Sequence, residues 1–210
     1  MSDLRAELEQ IADRYPVARS GLLPMLHLVQ AYDGCVTEAG IALCADVLGL
    51  TPAEVRGVAS FYSMYHSRPV GTHLVGVCTN TLCAVLGGDL ILERLQEHLG
   101  QGAPLAEGAT TDDGAITLER IECNAACDYA PVVMVDWELF DDQSPESAIA
   151  LADRLRSGEQ VTPSRGAPLT CWRDVERVLA GFEDGRADAG PSAGVASLAG
   201  LATIPSEEQA

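Results

Sequence analysis

The stretch Leu74-Val75-Gly76-Val77-Cys78-Thr79-Asn80-Thr81-Leu82-Cys83 decides the fold class. A short β-prone run ends directly on a cysteine, and a second cysteine closes a C-x4-C pair. The pattern returns at Ile116 to Ile121, a second β-prone run that leads into Cys123-Asn124-Ala125-Ala126-Cys127, a C-x3-C pair. Two strands that each feed a cysteine pair place both pairs in loops at strand C-terminal ends, where α/β layers put their sites. If the two strands are neighbours, the loops meet across the 39 residues between Cys83 and Cys123.

The segments around these pairs complete a small layer. Cys83 to Leu99 reads as one helix, with Leu86, Leu90, Leu95 and Leu99 among its apolar positions and Gly100 at its end. Val132-Val133-Met134-Val135 has the pattern of a buried strand, and Trp137 to Phe140 adds another. Ser144-Pro145-Glu146 opens a further helix that runs through Leu155. The order β-α-β-β-α fits a compact thioredoxin-like α/β layer.

Upstream, the chain reads as helices. Leu4, Leu8, Ile11 and Tyr15 recur at helical spacing before Pro16, and Leu22, Leu23, Leu26, Val29 and Tyr32 form a second stripe ending near Asp33-Gly34. Thr37 can cap a third helix to Leu48, with Gly49 behind it. Thr51-Pro52-Ala53-Glu54 carries the residues of a capping box, and Val55, Val58, Ala59 and Tyr62 then line one face. Four short helices with short connections form a bundle ending near Tyr65, and Pro69-Val70-Gly71 breaks the pattern. The fold class is therefore α+β. An N-terminal helical bundle (1–66) precedes a thioredoxin-like domain (67–160), and an extended tail (161–210) follows. In that tail one short helix is expected around Trp172–Leu179. Beyond Gly185 the chain is mostly Ala, Gly, Ser and Pro, which bury too little surface to order alone. This end is either a frayed tail or a segment that docks on a partner.

Composition narrows the partners. The 210 residues are 47% hydrophobic, enough for packed cores, and carry a net charge of −18. A polyanion is repelled by nucleic acid and by anionic lipid, so neither is an expected partner. The charge serves solubility or docking to a basic protein. No apolar run reaches the roughly 20 residues of a membrane span, and the N-terminus lacks a signal peptide's basic start and apolar run. The reading is a cytoplasmic protein without direct membrane insertion.

Seven cysteines in a reducing compartment do not form a disulfide framework, and their odd number leaves one over under full pairing. Cys78, Cys83, Cys123 and Cys127 group, and four thiolates so placed can hold zinc or an iron–sulfur cluster. Zinc sites favour C-x2-C spacing, which neither pair has. A 2Fe–2S centre needs two thiolates on each iron, and C-x4-C also occurs in plant-type ferredoxins. Spacing alone leaves a 2Fe–2S cluster, a zinc site, a redox dithiol and plain core cysteines open. Cys44 lies on a helical stripe and reads as core, while Cys35 and Cys171 read as bystanders. His27, His66, His73 and His98 are scattered and are not expected as ligands. No Gly-rich nucleotide fingerprint occurs, and no cysteine has a partnered histidine for nucleophilic catalysis, so no catalytic residue is expected on this chain.

Taken together, these stretches resemble a known family, the small thioredoxin-like 2Fe–2S subunit (E type) of bacterial NADH:quinone oxidoreductase, respiratory complex I. Leu23-Pro24-Met25-Leu26-His27-Leu28-Val29-Gln30, Val58-Ala59-Ser60-Phe61-Tyr62-Ser63-Met64-Tyr65, Pro69-Val70-Gly71 and Val77-Cys78-Thr79-Asn80 follow the family's order. So do Thr111-Asp112-Asp113-Gly114, Glu122-Cys123 and Ala130-Pro131-Val132. The likeness covers about residues 5–157. It implies one 2Fe–2S cluster on Cys78, Cys83, Cys123 and Cys127. The family's second pair usually reads Cys-Leu-Gly-Ala-Cys, and here Asn124-Ala125 stand for Leu-Gly.

The resemblance also implies a partner subunit that holds FMN and NADH, together with other peripheral-arm subunits. The place implied is the cytoplasm, or the cytoplasmic side of the inner membrane within a membrane-attached complex. Related subunits serve NAD-dependent formate dehydrogenases and NAD-reducing hydrogenases. A free thioredoxin-like ferredoxin and a zinc-stabilised adaptor are the readings outside the family. Ile121 to Asp153 contains no Lys or Arg but includes Glu122, Asp128, Asp136, Glu138, Asp141 and Asp142. Negative charge beside a cluster disfavours its reduction, so the potential is expected near the plant-ferredoxin value of about −400 mV.

Overall fold

The computed structural model describes residues 2–187, 189–191 and 193–204. The chain forms two compact units. One comprises residues up to Thr72 together with Thr170–Gly185, and the other His73–Leu169 with the segment from Arg186 onward.

The helical unit opens with α1 (Ser2–Ala12), α2 (Leu22–Asp33), α3 (Glu38–Leu48) and α4 (Pro52–Ala59). Local chemistry sets these boundaries. Gly34 and Gly49 end α2 and α3 in left-handed conformations, and the Thr37 hydroxyl accepts from the Gly40 amide at 3.0 Å. The capping box at α4 is complete: Thr51 Oγ1 accepts from Glu54 N at 3.3 Å, and Glu54 Oε2 accepts from Thr51 N at 2.9 Å. Leu8, Ile11, Met25, Leu26, Leu28, Val29, Cys44 and Val55 form the centre of the core. One expectation fails here. Tyr62 does not continue the α4 face, because the helix ends at Ala59 and the Tyr62 ring lies largely exposed.

The sheet unit runs β1 (His73–Cys78), α5 (Thr81–Val85), α6 (Gly88–Leu99), β2 (Ala109–Thr110), β3 (Ile116–Ile121), β4 (Val133–Val135), β5 (Glu138–Phe140) and α7 (Pro145–Arg156). The strand order is β2-β3-β1-β4-β5. β1 and β3 are parallel neighbours with Cys78 opposite Ile121, and the other pairings are antiparallel. Strand alternation sends Val75 and Val77 into a core shared with Ile91, Leu95, Leu151 and Leu155 of α6 and α7. Asp136 and Trp137, both at positive φ, make the two-residue turn between β4 and β5, as the right-handed twist of a hairpin favours. The buried Asp136 carboxylate accepts from Leu74 N at 2.8 Å and pairs with His73 Nδ1 at 2.6 Å, which pins the hairpin to β1.

The helix expected over Cys83–Leu99 is two helices, α5 and α6. Gly87, at φ 111°, starts α6 afresh. A Cβ on Gly88 would stand 2.4 Å from the Cys78 carbonyl oxygen and 2.9 Å from that of Cys83. The break therefore lets the start of α6 sit against the first cysteine loop, a closeness only glycine permits. Leu86 and Leu90, counted as apolar positions of one helix, are exposed as a result.

After Leu169 the chain contributes α8 (Trp172–Leu179) to the helical unit, packed on α2. Glu176 is fully buried there, with His27 Nδ1 at 2.7 Å and Gln30 Nε2 at 2.6 Å from its Oε2. The segment from Arg186 lies with the sheet unit. Its α9 (Val195–Leu201) falls within the stretch whose small residues gave no expectation of order. Polar contacts hold it: Gly166 N donates to Pro191 O at 2.8 Å, and Ser197 Oγ donates to Asp128. Among the described residues no helix is long and apolar enough to cross a membrane.

Candidate functional site

The parallel pairing of β1 with β3 carries the two cysteine loops to the same end of the sheet. Cys78 is the last residue of β1, and Cys83 lies on the short helix α5. Cys123 follows β3 by two residues, and Cys127 starts a 3-10 turn, Cys127–Tyr129. The local reason is steric. A left-handed residue and a tight turn reverse the chain between Cys123 and Cys127, and Gly88 lets α6 close behind Cys78.

The two pairs differ in environment. Cys78 and Cys83 are buried with Ala126 and Val132, against Ile121, Ala130 and Leu139, while Cys123 and Cys127 are exposed. Burial pushes the Cys78 thiol up to about 11, eased by the Asn80 amide and raised further by Cys83 and Cys123. Cys127 is raised mainly by its hydrogen bond with Cys123, and Cys78 adds to the rise. Cys78 on the first loop and Cys127 on the second thus each feel a thiol of the opposite loop. All seven cysteines are free thiols, and the two loop pairs stand at the same end of the sheet. Cys35 and Cys44 are buried in the helical unit, and Cys171 precedes α8.

Cys123 Sγ and Cys127 Sγ stand 3.5 Å apart. Two thiolates on one tetrahedral ion stand about 3.8 Å apart at a metal–sulfur distance of about 2.3 Å, so this pair can share one ion with little movement. Among the described residues no three His, Cys, Asp or Glu side chains converge closely enough to hold one metal ion. The thiols come as two pairs. That arrangement suits a two-iron group with two thiolates per iron better than a single zinc. Thiol values well above neutrality mean that metal loading releases protons.

Polar groups brace each loop. Arg120 Nη1 donates to Thr79 Oγ1 at 2.5 Å and to Asp89 at 3.0 Å, and Asn80 Nδ2 donates to Glu122 at 3.0 Å, tying the first loop to the second. Ala125 N donates to Cys123 Sγ at 3.3 Å, and Ala125 sits at φ 58°. The family's glycine at this position is thus matched by a left-handed backbone that alanine adopts under strain. Sequence reasoning missed Arg165, whose guanidinium contacts Asp128 beside Cys127. It lies 38 residues past Cys127, and no spacing rule points to it. Three histidines stay away from the thiols in their own pairs: His73 with Asp136, His98 with Asp153, His27 with Glu176.

Comparison with known proteins agrees with this geometry. The family model described as thioredoxin-like [2Fe-2S] ferredoxin matches residues 8–156. The chain is 58% identical over 202 residues to the E subunit of NADH-quinone oxidoreductase from Mycobacterium tuberculosis, covering 96% of this chain and 79% of the relative. It is 33% identical over 159 residues to the second E subunit of NADH-quinone oxidoreductase from Rhizobium meliloti, covering 76% of this chain and 92% of the relative. Among solved structures, a chain of an NAD+-reducing [NiFe]-hydrogenase superposes with a TM-score of 0.57 at 18% identity. That match covers 66% of this chain and only 23% of the hydrogenase chain, and it speaks for the fold alone. With its cysteine loops at the ends of two neighbouring parallel strands and the family model matched over residues 8–156, the chain belongs to the thioredoxin-like [2Fe-2S] ferredoxin family.

Proposed function

We propose that Cys78, Cys83, Cys123 and Cys127 hold one 2Fe–2S cluster, and that the chain carries electrons as the E-type subunit of an NADH:quinone oxidoreductase. The observation that carries this reading is the meeting of two cysteine pairs at one sheet end, in a chain 58% identical to proteins of that name. When bound, the cluster supplies one-electron chemistry at a potential set by its surroundings. The chain's own residues do the rest. Cys78 and Cys83 would hold the group from an apolar pocket, and Cys123 and Cys127 would hold it from the exposed loop. The Ala125 and Asn80 amides face ligand sulfurs and ease negative charge there. NADH gives up two electrons as hydride, so a flavin must stand between NADH and a one-electron carrier. We assign FMN and the NADH site to a partner subunit, with further peripheral-arm subunits downstream and the cytoplasmic side of the membrane as the place of work.

The test is metal analysis and EPR of anaerobically purified full chain. Two irons and two sulfides per chain are expected. Serine at any of the four cysteines should abolish or distort the reduced-state signal, and serine at Cys35, Cys44 or Cys171 should leave it intact. Stoichiometric zinc without iron, after expression with iron and sulfur supplied, refutes the reading.

A further inference from the structure

Arg165 lies beyond the stretch that the family model matches, on the segment that follows α7. Its side chain is only 12% exposed, and it is built into the second cysteine loop. Nε and Nη2 form a fork on the Asp141 carboxylate at 2.8 and 2.9 Å. Nη2 also reaches Asp128 Oδ1 at 2.7 Å, and the guanidinium lies 5.4 Å from the centre of the Tyr129 ring. Asp128 and Tyr129 are the two residues after Cys127 in its 3-10 turn. The backbone is fixed as well, since Ser164 N donates to Leu139 O at 3.0 Å and Asp141 N donates to Ser164 Oγ at 3.0 Å. Ser197 of α9 donates to the other oxygen of Asp128.

This is a costly arrangement for a merely structural contact. A guanidinium is withdrawn from water to neutralise two carboxylates, one of them adjacent to a thiol of the candidate centre. An oxidised all-cysteine 2Fe–2S centre carries a net charge of −2, which reduction makes −3. A nearby cation therefore favours the reduced form, and two uncompensated carboxylates disfavour it.

We propose that Arg165 is a positioning and potential-setting residue of the centre: it fixes the Cys127–Tyr129 turn through Asp128 and Tyr129, and its charge raises the potential at which the centre accepts an electron. The proposal rests on the assignment of Cys123 and Cys127 as ligands. It places part of the redox tuning on a segment outside the family's common core.

The experiment is an EPR-monitored redox titration of the full chain in its NADH-oxidising complex, with iron, sulfide and the visible spectrum measured on every variant. For Arg165→Gln the reduction equilibrium constant should fall by about tenfold, which for a one-electron couple is a midpoint about 59 mV more negative. Asp141→Asn should raise the midpoint. The double variant R165Q/D141N has the parent's local charge and should return toward the parent midpoint. An intact cluster whose midpoint is unmoved or raised in R165Q overturns the proposal. Should R165Q fail to hold its cluster, D141N decides, and an unmoved or lowered midpoint there overturns it. Absence of an iron–sulfur spectrum from the parent protein would instead overturn the ligand assignment, so the two failures are distinguishable.

Discussion

Replacing Ala125 by glycine should strengthen the loop that carries Cys123 and Cys127. Ala125 sits at φ 58°, where a residue with a Cβ costs about 1–2 kcal/mol. Glycine adopts this conformation freely but adds freedom to the unfolded chain, which gives back about 0.4–1 kcal/mol. The net gain is about 0.5–1 kcal/mol. The strain persists because this backbone turn aims the Ala125 amide at Cys123 Sγ, 3.3 Å away. Glycine keeps that amide, so the cluster's potential should not move.

Release of a cluster requires this loop to open, and the stabilisation should therefore appear in the rate of release. At about 1.36 kcal/mol per tenfold in rate, the half-life of anaerobic bleaching in urea should lengthen by about two- to fivefold. Ala125→Val should shorten it, because a β-branched side chain tolerates positive φ less well than alanine. The assay is the decay of visible absorption at fixed urea concentration. Bleaching of A125G as fast as the parent, or of A125V no faster than the parent, refutes the claim that this position is strained.

Three further outcomes follow from other residues. Glu119 on β3 is pushed up to about 7, chiefly by burial and then by Glu107; a carboxyl whose folded value lies above its unfolded value destabilises as pH rises from about 4.5 to about 7, so Glu119→Gln should flatten the fall of melting temperature across that window and raise it at pH 8. His27→Ala takes the imidazole partner from the buried Glu176 carboxyl and leaves it Gln30, so the helical unit should lose about 1–3 kcal/mol in a thermal or urea unfolding series, and an unchanged stability would contradict a buried hydrogen bond. The chain expressed alone should not reduce ferricyanide with NADH, whereas co-expression with the flavoprotein encoded beside it should restore turnover; turnover by the lone chain would remove the assigned division of roles.

Several elements were legible because their signals are local. The α4 capping box, the Gly34 and Gly49 helix ends, the two strands that lead into cysteine pairs and the helix at Trp172–Leu179 each declare themselves within a few residues. Two features were not. The helix expected from Cys83 to Leu99 has continuous apolar spacing, yet it breaks at Gly87-Gly88 because the chain must press against the Cys78 carbonyl, a tertiary demand that periodicity cannot express. Residues 186–204 have too few large side chains to predict order. Their α9 and the turn before it are held by the Gly166–Pro191 and Asp128–Ser197 contacts with segments far back in the chain. The pairing of the two strands stood only as a condition for their cysteine loops to meet, and the parallel register of β1 with β3 meets it.

The expectation of a low potential shows where reading along the chain stops being adequate. Between Ile121 and Asp153 there are acids and no Lys or Arg, and a count over that window leaves every carboxylate uncompensated. In the fold, Asp136 pairs with His73, Glu122 accepts from Asn80, and Asp128 and Asp141 share the Arg165 guanidinium. The field of Asp128 and Asp141 at a nearby centre is therefore smaller than the count implies, because the guanidinium they share offsets part of their charge. The compensating cation comes from the segment after α7, outside the counted window. The cysteine spacing can thus decide which group is held, while residues elsewhere in the chain decide how readily it takes an electron. Two chains with the same four-cysteine pattern should accordingly differ in midpoint when they differ at the position of Arg165.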